Sequence, residues 1–272
     1  MRRAFLLTSL ILGLVALGSA FAPVAGADTV GPITFEESGY SFADINGQNG
    51  WMKSGGYDVA VADVSTFSAA SGYAFGDQAL RMSDSVTSGS FGDQTFSPGL
   101  TNAAGEAPAL QHHFEAGFSI GTALSTVQTG LHMSVSPDNG SGARMSYLRF
   151  EDAAKGVNVF FSDVNGGGSL GTVARFSDTR IATLSRSSAH TIKFVIDFET
   201  GPGNDVVKIL IDGKKQATGR TWENYYRFDP EAAGNGNQVS PVSKLLFRES
   251  GTANPSNVGK GFLVDGVTLA SS

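Results

Sequence analysis

The chain has 272 residues, 19 Lys plus Arg against 25 Asp plus Glu, a formal net charge of −6 and no cysteine. With no basic run, that balance argues against nucleic acid and anionic membrane surfaces as partners. The missing thiols exclude disulfides, cysteine nucleophiles and thiolate metal centres.

Arg2 and Arg3 precede a mostly apolar run over 4–17, and small residues then lead to Ala25, Gly26 and Ala27, an A-x-A exit. Charge, length and exit site predict a secretory signal peptide over 1–27. The apolar run is short for a membrane span, and no stop-transfer flank follows it. Residues 28–272 are then one secreted domain, more acidic by the loss of two arginines, destined for the extracellular space, the cell surface or the periplasm. A chain of this size buries enough apolar surface to fold without disulfides. The 41% hydrophobic content argues against disorder, and 35 glycines with 19 phenylalanines suit many turns around an aromatic core.

Residues 33–37 (ITFEE) read as a first short strand, NGQNGW at 46–51 as a turn delivering Trp51, and 57–64 and 79–82 as further strands. The tetrapeptide FGDQ recurs at 75–78 and 91–94, too little for a repeat architecture. Residues 97–108 read as a polar surface loop. Over 111–120, Phe114, Phe118 and Ile120 share one face and His113 and Glu115 the other. Leu131, Met133 and Val135 mark the next strand, with His132 opposite, and Asp138, Asn139 and Gly140 a hairpin turn. Residues 144–151 and 157–164 form a hairpin turning at 153–156. A Gly-rich loop over 165–169 and a strand over 181–184 follow.

The stretch HTIKFVIDFETGPGNDVVKILIDGK at 190–214 carries the strongest signal. Ile192, Phe194, Ile196 and Phe198 alternate, GPGND breaks the run, and a second apolar run spans 206–211. This predicts a β-hairpin. A hairpin alone is marginal in water, so it needs neighbouring strands and a second sheet across its apolar face. Residues 221–229 (TWENYYRFD) read as a short turn or loop crossing that sandwich. Strands over 244–248 and 262–269 complete roughly a dozen, spaced as in a sandwich or barrel. The predicted fold is all-β, an antiparallel two-sheet β-sandwich (jelly roll).

FEESGY near the start, NGQNGW, HTIKFVIDF followed by VVKILIDGK, and the terminal GFLVDGVTL together resemble the concanavalin A-like lectin/glucanase superfamily, the laminin-G-like jelly rolls. The resemblance implies two antiparallel sheets, one concave and able to hold a sugar chain. Lectins, carbohydrate-binding modules, glycosidases, lyases and adhesive domains share that fold, so it implies architecture more than activity. In the carbohydrate-binding modules of this type, an N-terminal Phe-Glu and a C-terminal-strand Asp meet at one calcium ion. Phe35-Glu36 and Asp265 match, while Gly266 stands where the family has a second Asp. The resemblance thus implies a structural calcium held by Glu36 and Asp265.

Glycoside hydrolysis needs two carboxylates across the scissile bond. The Glu-x-Asp-x-Glu run of the family's hydrolases does not occur. Glu36 with Glu37, and Glu151 with Asp152, are adjacent and point to opposite faces, while Asp197 and Glu199 share a face beside a turn. All read as solvated strand-end charges. If Leu148 and Phe150 face the core, then Met145, Tyr147 and Arg149 face outward. On the partner strand Val157, Val159 and Phe161 face inward, leaving Asn158 and Phe160 outside. His113 and His132 on neighbouring strands complete one sheet face, and Trp222, Tyr225 and Tyr226 close one end of it. Rings stack on sugar faces while Arg and Asn bond hydroxyls or carboxylates. The plain alternative is an ordinary sheet surface partly covered by a loop.

The same face offers Tyr147 or a histidine as base and Arg149 to neutralise a carboxylate, the needs of β-elimination on a uronic-acid polymer. The Arg-rich, Gln-x-His and Tyr-rich motifs of the jelly-roll alginate lyases, which the chain resembles in expected fold, are not matched. No i, i+2 histidine pair exists for zinc. Asp44 with Asn46, and Asp163 with Asn165, are fragments of a calcium loop without its later acidic ligand. Asn139-Gly140-Ser141 is a glycosylation sequon. The expectation is a secreted, non-catalytic carbohydrate-binding domain whose partner is an oligosaccharide or polysaccharide. The alternatives are a polysaccharide lyase acting on an acidic glycan, or a structural or adhesive protein.

Overall fold

The computed structural model describes residues 28–87, 92–101, 111–165, 171, 173–232, 241–249 and 251–272. The signal-peptide reading of 1–27, the second FGDQ at its Phe91, most of the 97–108 loop and the Gly-rich loop at 166–169 lie outside them.

Alternation of apolar and polar residues, where it occurs, has produced strands. In chain order they are β1 (Asp28–Ile33), β2 (Met52–Ser54), β3 (Asp58–Asp63), β4 (Gln78–Ser83), β5 (Gln94–Phe96), β6 (His113–Thr122), β7 (His132–Asp138) and β8 (Leu148–Ala153). They continue with β9 (Gly156–Asn165), β10 (Arg175–Leu184), β11 (His190–Asp197), β12 (Val206–Ile211), β13 (Lys214–Arg220), β14 (Lys244–Glu249) and β15 (Phe262–Ser271). A short helix, α1 (Glu223–Phe228), follows β13. One sheet has eight strands in the order β13-β12-β11-β6-β15-β4-β3, with β1 also on β15. The other has seven, β10-β9-β8-β7-β14-β5-β2. All pairings are antiparallel, and the fold is the expected two-sheet β-sandwich.

The core fills the space between the sheets. Phe114, Phe118 and Ile120 of β6 and Ile192, Phe194 and Ile196 of β11 face Leu148 and Phe150 of β8 and Leu245 and Phe247 of β14. Phe118 meets Phe150 edge-on at 6.2 Å and Phe247 at 5.7 Å, so rings from both sheets interlock. The hairpin at 190–214 forms as expected, Phe194 lying opposite Ile209. Each such ring, fully buried, contributes roughly 2–3 kcal/mol of transfer energy.

Local chemistry overrode three expectations. Residues 33–37 do not form a strand: β1 ends at Ile33, and Phe35 turns at φ 64 to send its ring against Tyr40 and Trp51. Glu37 Oε1 holds that turn, accepting from Thr34 N at 3.1 Å and Thr34 Oγ1 at 3.0 Å. Met145, expected to face outward, is fully buried, because β8 begins only at Leu148 and the irregular chain before it breaks the alternation. The 221–229 segment is helical at its centre, and α1 docks on that same irregular chain.

Candidate functional site

The outer face of the seven-stranded sheet carries most of the expected residues. Arg149 of β8 lies opposite Phe160 of β9, and Glu151 opposite both Asn158 and His132. The Arg149 guanidinium stands 4.3 Å above the Phe160 ring centroid, pairs with Glu151, and reaches Asp178 of β10 at 3.4 Å. Asn158 Oδ1 accepts from Thr183 Oγ1 at 2.9 Å. This middle part is therefore a ledge of mutually satisfied groups, with Phe160 under a cation rather than open as a platform. His132, half-buried, has its pKa lowered by burial first and then by the Arg149 charge, with Asp84 opposing.

His113 is not on this face. It begins β6 in the opposite sheet, beside β11 and β15. There its Nδ1 lies 2.8 Å from Asp197 Oδ1 and its Nε2 3.4 Å from Glu115 Oε1. Lys208 bonds Asp197 at 2.6 Å and holds its pKa down, and Lys193 bonds Glu115 at 2.7 Å. His113 thus belongs to a charged ladder on the far surface.

The residues with open chemistry gather where α1 meets the sheet. Main-chain bonds seat the helix: Trp222 N donates to Met145 O at 3.0 Å, and Tyr226 Oη accepts from Arg144 N at 2.7 Å. Glu223 closes the β11–β12 turn by accepting from Gly203 N at 2.7 Å, and Asp229 Oδ2 accepts from Ala174 N at 2.6 Å, fixing the start of β10. Tyr226 is therefore a buried anchor, its pKa pushed up chiefly by burial. Trp222 is held by its Nε1 to Ser162 O at 3.1 Å and stacks on Tyr147, ring centroids 5.7 Å apart and planes 22° apart. Phe176 meets Trp222 edge-on at 4.6 Å and Tyr225 at 5.2 Å, while remaining 44% exposed.

These rings wall a cavity of about 500 Å³ opening on the sheet face. Arg144 and Arg248 line it, as do Asp178 and Glu231. Burial, and then the like charge of Arg144, hold the Arg248 guanidinium below its ordinary pKa. Two arginines, two carboxylates and aromatic walls thus put donors, acceptors and ring faces around one cavity. Sequence reasoning missed Arg144, Phe176 and Arg248. The signal for Arg248 was present, since it sits one residue past the inward Phe247. Phe176 lies in RFSDTR, which has no apolar period.

Two further constellations bear on chemistry. His190 Nδ1 is 2.8 Å from Asp212 Oδ2, and its Nε2 is 3.3 Å from Ser188 Oγ. The same Nε2 accepts the Ser185 N–H at 3.1 Å, so the imidazole clasps the β10–β11 turn rather than activating a nucleophile. Near the paired first and last strands, Asp265 is buried and its Oδ1 has no hydrogen-bond partner. Burial, and next among charges Glu36 and Glu37, push its pKa up to about 6. Glu36 Oε1 accepts from Gln78 N at 2.6 Å. An orphaned carboxylate oxygen beside like charges fits a hard cation. Among the described residues no group of three or more His, Cys, Asp or Glu side chains is arranged for a metal, so main-chain oxygens or water would complete the shell.

No family model matches the chain, and no curated protein matches it. Among solved structures it is similar to an endo-1,3-beta-glucanase from Streptomyces sioyaensis, at 14% identity and TM-score 0.47 over 93% of this chain and 99% of that one. An alginate lyase from Alteromonas sp. 272 is similar at 9% identity and TM-score 0.40, over 68% of this chain and 80% of that one. A sialidase is similar at 12% identity and TM-score 0.44, over 86% of this chain but only 18% of the sialidase chain. These likenesses are of architecture, and no residue's role is carried across from them. No described helix is long and apolar enough to cross a membrane.

Proposed function

We propose that this is a secreted carbohydrate-binding domain without catalysis, and that its glycan lies on the outer face of the seven-stranded sheet with one sugar in the aromatic cavity. The observation that carries the reading is the cavity itself. Tyr147, Trp222, Phe176 and Tyr225 present rings held by packing, and Arg144 and Arg248 supply fixed donors. Rigid aromatic walls with a few convergent polar groups bind sugars at low entropic cost. The preferred ligand is an acidic oligosaccharide, because guanidinium grips a carboxylate in a bidentate fork. A structural calcium held by Glu36 and Asp265 belongs to the same reading. Calorimetry against neutral and acidic oligosaccharides tests it: Phe176→Ala, at an exposed ring, should weaken binding without unfolding the chain. Equal binding by Phe176→Ala and wild type would exclude the cavity.

One observation favours a second reading, a β-eliminating lyase. Tyr147 shares the cavity with two arginines, the groups needed to take a proton beside a neutralised carboxylate. His132 does not line it. Release of unsaturated uronate from an acidic polymer would replace binding with lysis.

A further inference from the structure

At the end of the sandwich away from α1, Glu249 closes β14. Leu245 and Phe247 point between the sheets, so Glu249, two residues on, does too. It is completely buried, and neither carboxylate oxygen has a hydrogen-bond partner. Asp84, one residue past β4, is also completely buried. Its Oδ1 accepts from Asn257 Nδ2 at 2.6 Å, and its Oδ2 has no partner. A Cβ added at Gly130, just before β7, would meet that Oδ2 at 3.7 Å, and on β7 Met133 lies opposite Glu249.

The surrounding charges offset this pair only in part. Arg81 is bound by both oxygens of Asp58, at 2.5 and 2.7 Å, and Ser83 Oγ donates to Asp58 at 2.6 Å. Burial most strongly, then Asp84 and Asp58, disfavour ionisation of Glu249, with Arg81 and Arg248 opposing. Asp84 is raised in the same direction by burial. Two desolvated carboxylates with open lone pairs are a costly arrangement unless a cation joins them. The chain also straps main chain over the place. Asn254 N donates to Asp84 O at 2.9 Å, and Asn254 Nδ2 to Thr129 O at 2.7 Å, holding the connection from β14 to β15 across the sandwich end.

We propose that Glu249 and Asp84 Oδ2 are ligands of a buried divalent cation, distinct from the Glu36–Asp265 position. The donors are hard oxygens in a desolvated place. That suits calcium, which accepts irregular oxygen shells, better than magnesium, which keeps its water. Main-chain carbonyls and water supply the remaining ligands. The ion ties β14 to the strap and so steadies the strand that carries Arg248, but its binding does not depend on any glycan.

The test uses the mature chain stripped by chelator, with calcium alone as probe. In a Glu36→Gln/Asp265→Asn background, calorimetry should still register one calcium. The melting temperature should rise by roughly 5–10 °C at about 100-fold excess over Kd. Adding Glu249→Gln should abolish both responses, and in chelator that variant should melt above its parent because a buried charge is gone. In otherwise wild-type protein, Glu249→Gln should lower the calcium stoichiometry by one. Calcium indifference of the background variant overturns the proposal, as does an unchanged calcium response in Glu249→Gln. A Glu249→Gln chain that melts higher while calcium does nothing to its parent means the two carboxyls share a proton, which also overturns it.

Discussion

Tyr147 and Phe160 both project from the outer sheet face, yet they should behave differently. Tyr147 stacks on Trp222 at the cavity wall, whereas Phe160 lies beneath the Arg149 guanidinium. An anchoring ring is worth about 2 kcal/mol on truncation, so Tyr147→Ala should weaken glycan binding roughly thirtyfold by calorimetry. Phe160→Ala should leave it near wild type. The arginines divide in the same way. Arg248 lines the cavity, and Arg149, paired with Glu151 and Asp178 on the open sheet face, is not among its lining residues. Arg248→Lys should therefore weaken binding of an acidic oligosaccharide and spare a neutral one, and Arg149→Lys should change either little. Alternation along β8 and β9 was enough to put Arg149, Asn158 and Phe160 on one face. It could not place His113, because a two-residue period gives the side of a strand but not the sheet it joins. That depends on the long-range pairing of β6 with β11 and β15.

Strands with a continuous apolar face were legible, and those held only by their neighbours were not. β11 and β12 announce themselves by period. β13 (KKQATGR) has no apolar period and exists because the Asp212–Gly213 turn folds it onto β12; Asp212 at φ 51 and Gly213 at φ 71 make that turn. β2 and β5 are three residues each and pair with one another at the sheet edge. The connections test the packing. Gly261 enters β15 at φ 110, and a Cβ there would sit 1.8 Å from Met82 O, in the backbone of the adjacent strand. Gly261→Ala should cost about 3 kcal/mol or more, read from the denaturant midpoint. Gly142, at φ 92 with no atom near its missing Cβ, should cost only about 1 kcal/mol as Ala.

At the scale of the whole molecule, the buried carboxyls govern the response to pH. Asp205 and Asp265 are pushed up to about 6, chiefly by burial, and Asp84, Asp138 and Glu249 are raised for the same first reason. A carboxyl raised in the folded state destabilises the fold where it is ionised. That cost is fully present above the folded pKa and disappears as pH falls towards the unfolded value of about 4. In chelator, the melting temperature should therefore rise between about pH 7 and pH 5. Asp58 has the opposite sign: burial works against it, but Arg81 and Ser83 hold it at about 2. Its stabilisation is present above about pH 4 and lost below that, so acid unfolding should follow. If calcium occupies the proposed sites at Glu36 and Asp265 and at Glu249 and Asp84, excess calcium should turn that rise into a fall, because protons then compete with the ion. Differential scanning calorimetry across that range, with chelator and with calcium, checks both signs.

The aromatic cavity is tested most directly by calorimetric titration of residues 28–272 with matched acidic and neutral oligosaccharides, repeated on Tyr147→Ala and Phe176→Ala. The aromatic cavity predicts saturable binding, tighter for the acidic ligand, that falls roughly thirtyfold in Tyr147→Ala and also weakens in Phe176→Ala. Binding that both variants retain at wild-type strength, or no binding to any oligosaccharide, would contradict it.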